Sequence, residues 1–401
     1  MTDIAGTVPV IAVDKVQAVA LAVCTYYFGV WLKGKVGVLS RYSIPSPVVG
    51  GMSFAIVVSF LEYFNIVKVQ IDSTLQTVLM LGFFTTIGLM ASLRVVKDGG
   101  RLLLGFLLAV TVLVFLQNGM GMAIAEAMGF DKHYGILAGS VSMMGGLGTA
   151  AAFGPYFEET YGITGGTAVA VTAATFGMVA ALLIGGPFGE WCIRRYQVKT
   201  PDEVQQPEPE LHLPDDMDTD ITEQHASAKP NFTNEIMRAV SVTALAMGLG
   251  TIVSNYLGHY ITLPAYIGAM IVATVIRNVG DFSGMYKVEG KGLNAVADIT
   301  LVLFVTMAIN NLKLHELVHL ALPLVVILAC QTILMLIYAW TVLFTAFGRS
   351  YDAVMLSVGG IGFSMGATAN GLGRGRIPHR PDQRRRHHVV RHVVTTGSLL
   401  I

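Results

Sequence analysis

The tetrapeptide GGLG at residues 145–148 recurs 214 positions later as GGIG at residues 359–362. Both copies interrupt long apolar stretches of a chain in which 53% of the residues are hydrophobic and 13% are charged. Soluble domains carry roughly 25% charged residues, so this chain has too little charge to cover a surface exposed to water. In a bilayer, non-helical backbone persists only where it is buried in protein or lines a water-filled cavity. The repeated glycine run therefore predicts a membrane protein with two functional breaks in its helices.

The 401-residue chain has room for about ten membrane spans, because each takes roughly 20 apolar residues and a short loop. In the first half, apolar segments predict spans at 16–32, 46–66, 74–93, 102–127 and 166–191. In the second half, they predict spans at 236–257, 263–276, 295–312 and 316–346. The glycine-rich stretches 134–156 and 351–371 are apolar but broken by small residues. We predict that each of them is a re-entrant hairpin.

Basic residues predict the orientation of the chain. They follow the first, third and fifth predicted spans: Lys33, Lys35, Arg41, Arg94, Lys97, Arg101, Arg194, Arg195 and Lys199. These clusters lie on one side only if the stretch 134–156 enters and leaves on the same face. The positive-inside rule makes that side cytoplasmic. We therefore expect the N-terminus outside and the first hairpin entering from outside.

The chain is predicted to divide into two transmembrane repeats, residues 1–196 and 234–371, joined by a linker. Residues 197–233 include the polar stretch PDEVQQPEPELHLPDDMDTD, which cannot form a core, so we expect a disordered cytoplasmic connector. Landmarks recur in the same order in both halves: Pro47 and Gly51 with Pro264 and Gly268, Phe84 and Thr86 with Phe304 and Thr306, and Gln117 with Gln331. Because the first repeat has an odd number of spans, the second is inserted upside down. The two hairpins would then meet near the bilayer midplane.

Five stretches together resemble the bacterial sodium/glutamate symporter family: RYSIPSPVVGG (41–51), MLGFFTTIGL (80–89), GSVSMMGGLGTAAAF (139–153), TFGMVAALLIGGP (175–187) and YDAVMLSVGGIGFSMGATANG (351–371). The resemblance covers about residues 20–371 in matching order. It implies an all-α membrane protein of two inverted five-helix repeats, each with a glycine-rich re-entrant loop. It also implies a sodium-coupled carrier for glutamate rather than an enzyme, with Na⁺ as the coupling ion and no cofactor. The expected setting is a homodimer in the lipid of the bacterial inner membrane, with no nucleic-acid partner.

The predicted site consists of the hairpin glycines and the polar side chains beside them. Glycine lets the backbone turn sharply and approach a ligand closely at Gly145, Gly146, Gly148, Gly359, Gly360 and Gly362. Amide N–H groups at such breaks can hold a carboxylate, and carbonyl groups can coordinate sodium. Oxygen ligands, which hard cations prefer, are offered by Ser142, Thr149, Ser364, Thr368 and Asn370. The alternatives are close helix packing for the glycines and bonds to their own helix for the hydroxyl groups.

Three amides lie in the middle of predicted spans, where an unpaired amide is costly: Gln117, Asn118 and Gln331. They either line the site or bond neighbouring helices. The three cysteines, Cys24, Cys192 and Cys330, are set in apolar sequence and predict neither a disulfide nor a metal site. The scattered histidines form no catalytic constellation.

Residues 372–401 form a basic tail at the position where the last span of the second repeat is expected. The tail holds seven Arg and four His in thirty residues, and no segment of it could cross a membrane. We predict an out-of-frame or truncated end that replaces the last helix. Backbone groups left facing lipid would cost several kcal/mol each, so we expect weak or absent transport. The alternative is a natural basic anchor attracted to anionic lipid.

Three other functions stay open at this point. The chain could be a carrier for another small carboxylate such as citrate, because a backbone site recognises a carboxylate rather than a whole molecule. It could be a passive channel, since paired re-entrant loops also build pores. It could be a transport-dead remnant. Saturable, sodium-dependent uptake would separate a carrier from a channel.

Overall fold

The computed structural model describes residues 9–41, 44–198, 232–257, 265–284, 290–312 and 320–366. The first half contains, in order, β1 (Val10–Val13), α1 (Lys15–Lys35), α2 (Gly37–Arg41), α3 (Ser46–Tyr63), β2 (Lys68–Ile71), α4 (Thr74–Met90), α5 (Leu93–Ala127), α6 (Lys132–Ile136), α7 (Gly146–Tyr161) and α8 (Gly166–Tyr196). The second half contains α9 (Phe232–Leu257), α10 (Ala265–Ser283), α11 (Lys291–Asn310), α12 (Ala321–Tyr338) and α13 (Tyr351–Ser364). A π-helical turn continues α6 over Leu137–Val141, and another continues α12 over Ala339–Ala346.

Seven of the described helices are long and apolar enough to cross a membrane: α1, α3, α5, α8, α9, α11 and α12, the last counted together with its π-helical turn. The shorter helix α4 is also apolar over its 17 residues. The prediction of an all-α, multi-pass membrane protein is thus confirmed. Large apolar side chains such as Phe115 and Ile252 are 73% and 67% exposed, as expected for a surface that faces lipid rather than water.

The short parallel ribbon of β1 and β2 was not predicted. Its register pairs Val10 with Lys68 and Val13 with Ile71. Val13 and Ile71 pack against the start of α1, beside the buried Ala18. The ribbon therefore ties the N-terminal residues to the loop between α3 and α4.

Glycines allow the first two long helices of each half to approach very closely. A Cβ at Gly50 of α3 would collide with the carbonyl oxygen of Thr25 in α1. A Cβ at Gly250 of α9 would collide with the Cα of Ala269 in α10. Small residues at such crossings let helix backbones pack in van der Waals contact, which drives helix association in lipid. Such glycine-dependent helix contacts thus occur in both halves of the described chain.

Helices α4 and α11 cross in opposite directions. The rings of Phe83 and Phe304 lie 5.6 Å apart between centroids. Near the start of α4, Gln76 Oε1 accepts a hydrogen bond of 3.4 Å from Asn311 Nδ2, which lies just past the end of α11. These two helices contain the landmarks that the sequence pairs with each other, so their antiparallel crossing is what inverted copies would produce.

Helices α5 and α12 also cross in opposite directions. Gln331 Nε2 donates to the carbonyl of Gln117 at 2.8 Å, and Tyr338 OH donates to the carbonyl of Ala109 at 2.5 Å. Contacts thus move toward the C-terminus of α12 as they move toward the N-terminus of α5. Gln117 and Gln331, which the sequence pairs at a separation of 214 residues, are in direct contact.

A polar clasp, formed by Ser92, Arg277, Asn278 and Asp281, fastens the end of α10 to the turn between α4 and α5. Asp281 Oδ2 accepts hydrogen bonds from Arg277 Nε at 3.0 Å and from Ser92 Oγ at 2.5 Å. Asn278 Nδ2 donates to the carbonyl of Ala91 at 3.0 Å. Asn278 Oδ1 accepts a hydrogen bond of 2.8 Å from the backbone N–H of Leu93, the first residue of α5. The predicted span 263–276 stops short of this clasp because its residues are too polar for lipid, whereas α10 continues through it to Ser283.

Two predicted segments fall largely outside the described residues. The linker 197–233 is described only at its ends, and the tail 372–401 is not described at all. The division into repeats 1–196 and 234–371 and the nature of the tail therefore stay predictions.

Candidate functional site

Helices α6 and α7 form a helical hairpin. The ring of His133 stacks on the ring of Tyr161 with 4.1 Å between centroids. Tyr134 OH donates to the carbonyl of Thr164 at 2.6 Å. The two ends of this segment thus lie side by side, and the chain reverses direction between them, over residues 142–146.

Asp131 begins the hairpin by capping α6. Its carboxylate accepts a hydrogen bond of 2.9 Å from the backbone N–H of His133, and Oδ1 also lies 2.6 Å from His133 Nδ1. The backbone hydrogen bond is the main reason why the pKa of Asp131 lies below its usual range. The cap therefore keeps its negative charge at neutral pH and holds the histidine against Tyr161.

Gly146 makes the reversal of the first hairpin. It has φ +72°, in the left-handed region that favours glycine. Ser142 Oγ donates to the carbonyl of Leu137 at 2.5 Å, and Thr149 Oγ1 donates to the carbonyl of Gly145 at 2.9 Å. Both hydroxyl groups thus bond to the backbone of their own segment, which is the predicted alternative to a ligand role.

The second break lies later in the chain than the sequence predicts. Gly359, Gly360 and Gly362 lie inside α13, and the chain leaves the helix at Met365 and Gly366, where φ is +82°. The prediction that the GGIG run itself turns the chain is therefore wrong. Within this run Gly360 serves packing, because a Cβ there would lie 2.5 Å from Leu343 Cδ1. In the first copy, Gly145 and Gly148 are likewise right-handed, so Gly146 alone turns there.

The two breaks touch each other. A Cβ on Gly366 would lie 3.5 Å from the Cα of Gly146 and 3.5 Å from the carbonyl oxygen of Met143. A Cβ on Gly177 of α8 would lie 2.7 Å from the carbonyl oxygen of Met365. We call the segments 143–146 and 365–366 the crossing. It brings irregular backbone from both halves of the chain to one place, with α8 packed against it.

Met143, Met365 and Gly366 were missed as site residues. The signal that could have found them is the similarity of SMMG at 142–145 to SMG at 364–366. The longer glycine runs GGLG and GGIG align at a separation of 214 residues. That separation does not align Gly146 with Gly366, the two residues that turn. The predicted residues Thr368 and Asn370 lie outside the described residues.

Buried amides connect α5 and α12 to the crossing. Gln117 Nε2 donates to the carbonyl of Ser364 at 3.3 Å, while Gln331 Nε2 donates to the carbonyl of Gln117. Asn118 Oδ1 accepts from the N–H of Ser140 at 3.1 Å. Gln117, Gln331 and Ser364 are all completely buried. The amides therefore bond neighbouring segments, which is one of the two predicted alternatives. That they line a ligand site stays a prediction.

A cavity of about 520 Å³ opens between the first hairpin, α4 and α11. Its polar lining includes Gln76, Tyr156, Glu158, Glu159, Thr167, Tyr266 and Asn311. Among the described residues that line it there are two carboxylates and no lysine or arginine. The volume suits a small metabolite, and the lining favours a cation over an anion.

The cavity ends about one helical turn from the first break. It reaches α7 at Ala151 and α4 at Met80. One turn deeper, a Cβ on Gly148 would lie 2.8 Å from Phe83 Cε1 and 3.3 Å from Leu301 Cδ1. These apolar side chains separate the cavity from the crossing.

The comparisons with known proteins all point to one family. The sequence profile of the sodium/glutamate symporter family matches residues 11–374. A sodium/glutamate symporter of Escherichia coli K12 is 35% identical over 364 residues, which cover 90% of this chain and 87% of that protein. One of Haemophilus influenzae is 32% identical over 362 residues, covering 89% of this chain and 86% of that protein. The match includes the whole hairpin, both breaks and the buried glutamines.

Proposed function

Because the chain belongs to the sodium/glutamate symporter family, we propose that it is a secondary transporter that couples glutamate uptake to the entry of sodium. The protein is a transporter rather than an enzyme. The observation that carries the proposal is the contact between the two helix breaks at Gly146 and Gly366. Irregular backbone of this kind supplies substrate and ion sites in transporters because its amide and carbonyl groups are free to bind a ligand.

The proposed architecture is a pair of inverted repeats whose re-entrant hairpins enter from opposite faces. Three observations support it: the antiparallel crossing of α4 and α11, the antiparallel crossing of α5 and α12, and the adjacent ends of the first hairpin. In this arrangement the N-terminus is outside, the linker is cytoplasmic and the crossing lies near the midplane. The cavity beside the first hairpin is then an entrance from the outside.

The two sides of the crossing suit different ligands. Helix α7 begins at Gly146, so its N-terminal N–H groups and the positive end of its dipole favour the carboxylate of glutamate. Helix α13 ends at Ser364, so its C-terminal carbonyl groups favour a cation. The crossing can therefore hold a carboxylate and a sodium ion close together.

We place the protein in the bacterial inner membrane, as a homodimer surrounded by lipid. Family membership supports the sodium and glutamate assignment, and the exposed apolar helix faces support a lipid environment. The homodimer follows from the resemblance described above, and part of the same apolar surface would form its interface.

Transport tests the proposed function directly. The purified chain, reconstituted in liposomes, is expected to take up radiolabelled glutamate when sodium is high outside, and uptake should saturate with glutamate. Replacement of sodium by potassium should abolish it. Competition by aspartate or citrate measures selectivity among carboxylates. Uptake that rises linearly with glutamate concentration and does not depend on sodium would support a channel and contradict the proposal.

Residues 372–401 are expected to limit this activity, because their composition cannot supply a tenth span beside the second break. Replacing them with an apolar helix of about 20 residues should raise sodium-driven uptake several-fold at equal protein amount. The matched control replaces the tail with a polar segment of the same length, which should give no gain. An uptake rate unchanged by the apolar helix would contradict the proposed impairment.

A further inference from the structure

Three buried side chains beside the crossing each carry an oxygen atom without a hydrogen-bond partner among the described residues. These atoms are Gln117 Oε1, Gln331 Oε1 and Ser364 Oγ. All three residues are 0% exposed. Buried acceptors without a donor are rare in native proteins, and each one calls for an explanation such as a bound ion. Here three of them belong to residues joined by hydrogen bonds.

The orientation of both amides follows from their partners. Gln117 Nε2 faces the carbonyl of Ser364, and Gln331 Nε2 faces the carbonyl of Gln117. A carbonyl oxygen only accepts, so the nitrogen of each amide must point toward it. Each Oε1 is then the atom that has no hydrogen-bond partner among the described residues. The two glutamines therefore use their donors to hold backbone and present their oxygen atoms elsewhere.

The available chemistry fits a hard monovalent cation. Neutral carbonyl, amide and hydroxyl oxygens are the ligands that hard cations take in proteins. No group of three His, Cys, Asp or Glu that could hold a transition metal occurs among the described residues. We propose that Gln117, Gln331 and Ser364 are ligands of a sodium ion at the crossing. This inference rests on the proposed function and assigns a position to its coupling ion.

The neutrality of these ligands explains coupling. The hydrogen bonds made by the two glutamine side chains go to backbone carbonyls, so they bring no charged side chain to the ion. A buried charge without a counter-charge is strongly disfavoured. The carboxylate of glutamate at the start of α7 supplies that counter-charge, because Gly146 and Gly366 are in contact. Sodium and glutamate should therefore each strengthen the binding of the other by the same factor.

Equilibrium binding of radioactive sodium to the purified full-length chain tests this site. In the unsubstituted protein, saturable sodium binding should tighten about tenfold when glutamate is present, and potassium should not compete. Ser364→Ala and Gln331→Leu should each weaken sodium binding tenfold or more. Gln331→Glu replaces the Nε2 donor with an oxygen that faces the Gln117 carbonyl, so it should also weaken sodium binding.

Thr243→Val is the matched control. Thr243 is also buried with an unpartnered hydroxyl among the described residues, but it lies in α9, apart from the crossing. Its sodium affinity should stay within twofold of the unsubstituted chain. Gel filtration identifies variants that fail to fold, and Ser364→Ala and Gln331→Glu decide the matter if Gln331→Leu is one of them.

The outcomes separate the site from the function. If glutamate enhances sodium binding in the unsubstituted chain and the folded variants all bind sodium as it does, the site is wrong and the proposed function stands. Sodium binding unchanged in folded Ser364→Ala would also overturn the site. If the unsubstituted chain shows no glutamate-enhanced sodium binding, the proposed function fails and the site fails with it.

Discussion

Gly146→Ala and Gly366→Ala are expected to weaken sodium-dependent glutamate binding tenfold or more. Both glycines have positive φ, +72° and +82°, where a Cβ approaches the following carbonyl oxygen and costs about 1–2 kcal/mol. Space is not the obstacle, since the nearest atoms to these Cβ positions lie at 3.5 Å or beyond. The strain instead unwinds the turn, and because the two breaks touch, a shift in one moves the other. The expected loss is in the ligand site rather than in global packing.

Gly362→Ala and Gly119→Ala are the matched controls. Both glycines are helical, and a Cβ at either position would have no described atom within 4 Å. Alanine is the better helix former by roughly 1 kcal/mol, so neither change should weaken glutamate binding more than twofold. Binding by the purified protein and its thermal unfolding are measured together. If Gly362→Ala were as damaging as Gly366→Ala, the GGIG run would be the working element, as the sequence alone predicts.

This contrast shows what a glycine pattern can and cannot predict. Hydropathy predicted the helices well, because lipid requires long apolar segments whatever the tertiary contacts. The sequence predicts the first hairpin at 134–156, and the observed segment runs from Lys132 to Tyr161. The GGIG run was misassigned because glycine adopts right-handed and left-handed conformations with similar ease. Which glycine turns is decided by packing, here of Gly360 against Leu343, and packing is not visible in the local sequence.

The glutamines were the more reliable signal. Their shared offset predicted equivalent positions, and in the structure the two residues touch. Equivalent residues of two inverted copies can touch only near the axis that relates the copies. Phe83 with Phe304 and Gly146 with Gly366 are also contacts between nearly equivalent positions of the two halves. If the two halves are inverted copies, as we propose, their axis passes through the crossing.

The polar clasp could not have been predicted from span hydropathy. Arg277 and Asp281 lie beyond the predicted span 263–276, in sequence that reads as an ordinary polar end of a helix. Their burial arises from the turn between α4 and α5, whose Ser92 side chain and backbone carbonyls complete the hydrogen bonds. Long-range partners more than 180 residues away decide whether such a pair is solvated or buried.

Asp281→Asn is expected to destabilise the folded protein by about 3–5 kcal/mol, the usual range for removing one partner of a buried ion pair. The side chains of Arg277 and Asp281 are only 5% and 14% exposed. The substitution keeps the shape of the side chain but removes the carboxylate charge that pairs with the Arg277 guanidinium. The clasp should then open, releasing the end of α10 from the turn between α4 and α5. The fraction of monodisperse protein after stepwise heating in detergent measures this loss.

Glu190→Gln provides a closely matched control, because Glu190 and Arg194 also form an acid–arginine pair four residues apart on one helix. Their side chains are 62% and 77% exposed, so water replaces the lost partner and the expected change is at most about 1 kcal/mol. Both substitutions remove one carboxylate charge, so a general charge effect would act on them equally. Equal thermal stability of the two variants would show that the clasp does not hold α10. A large loss confined to Asp281→Asn would instead identify the clasp as the contact that fixes α10 of the second half to the α4–α5 turn of the first.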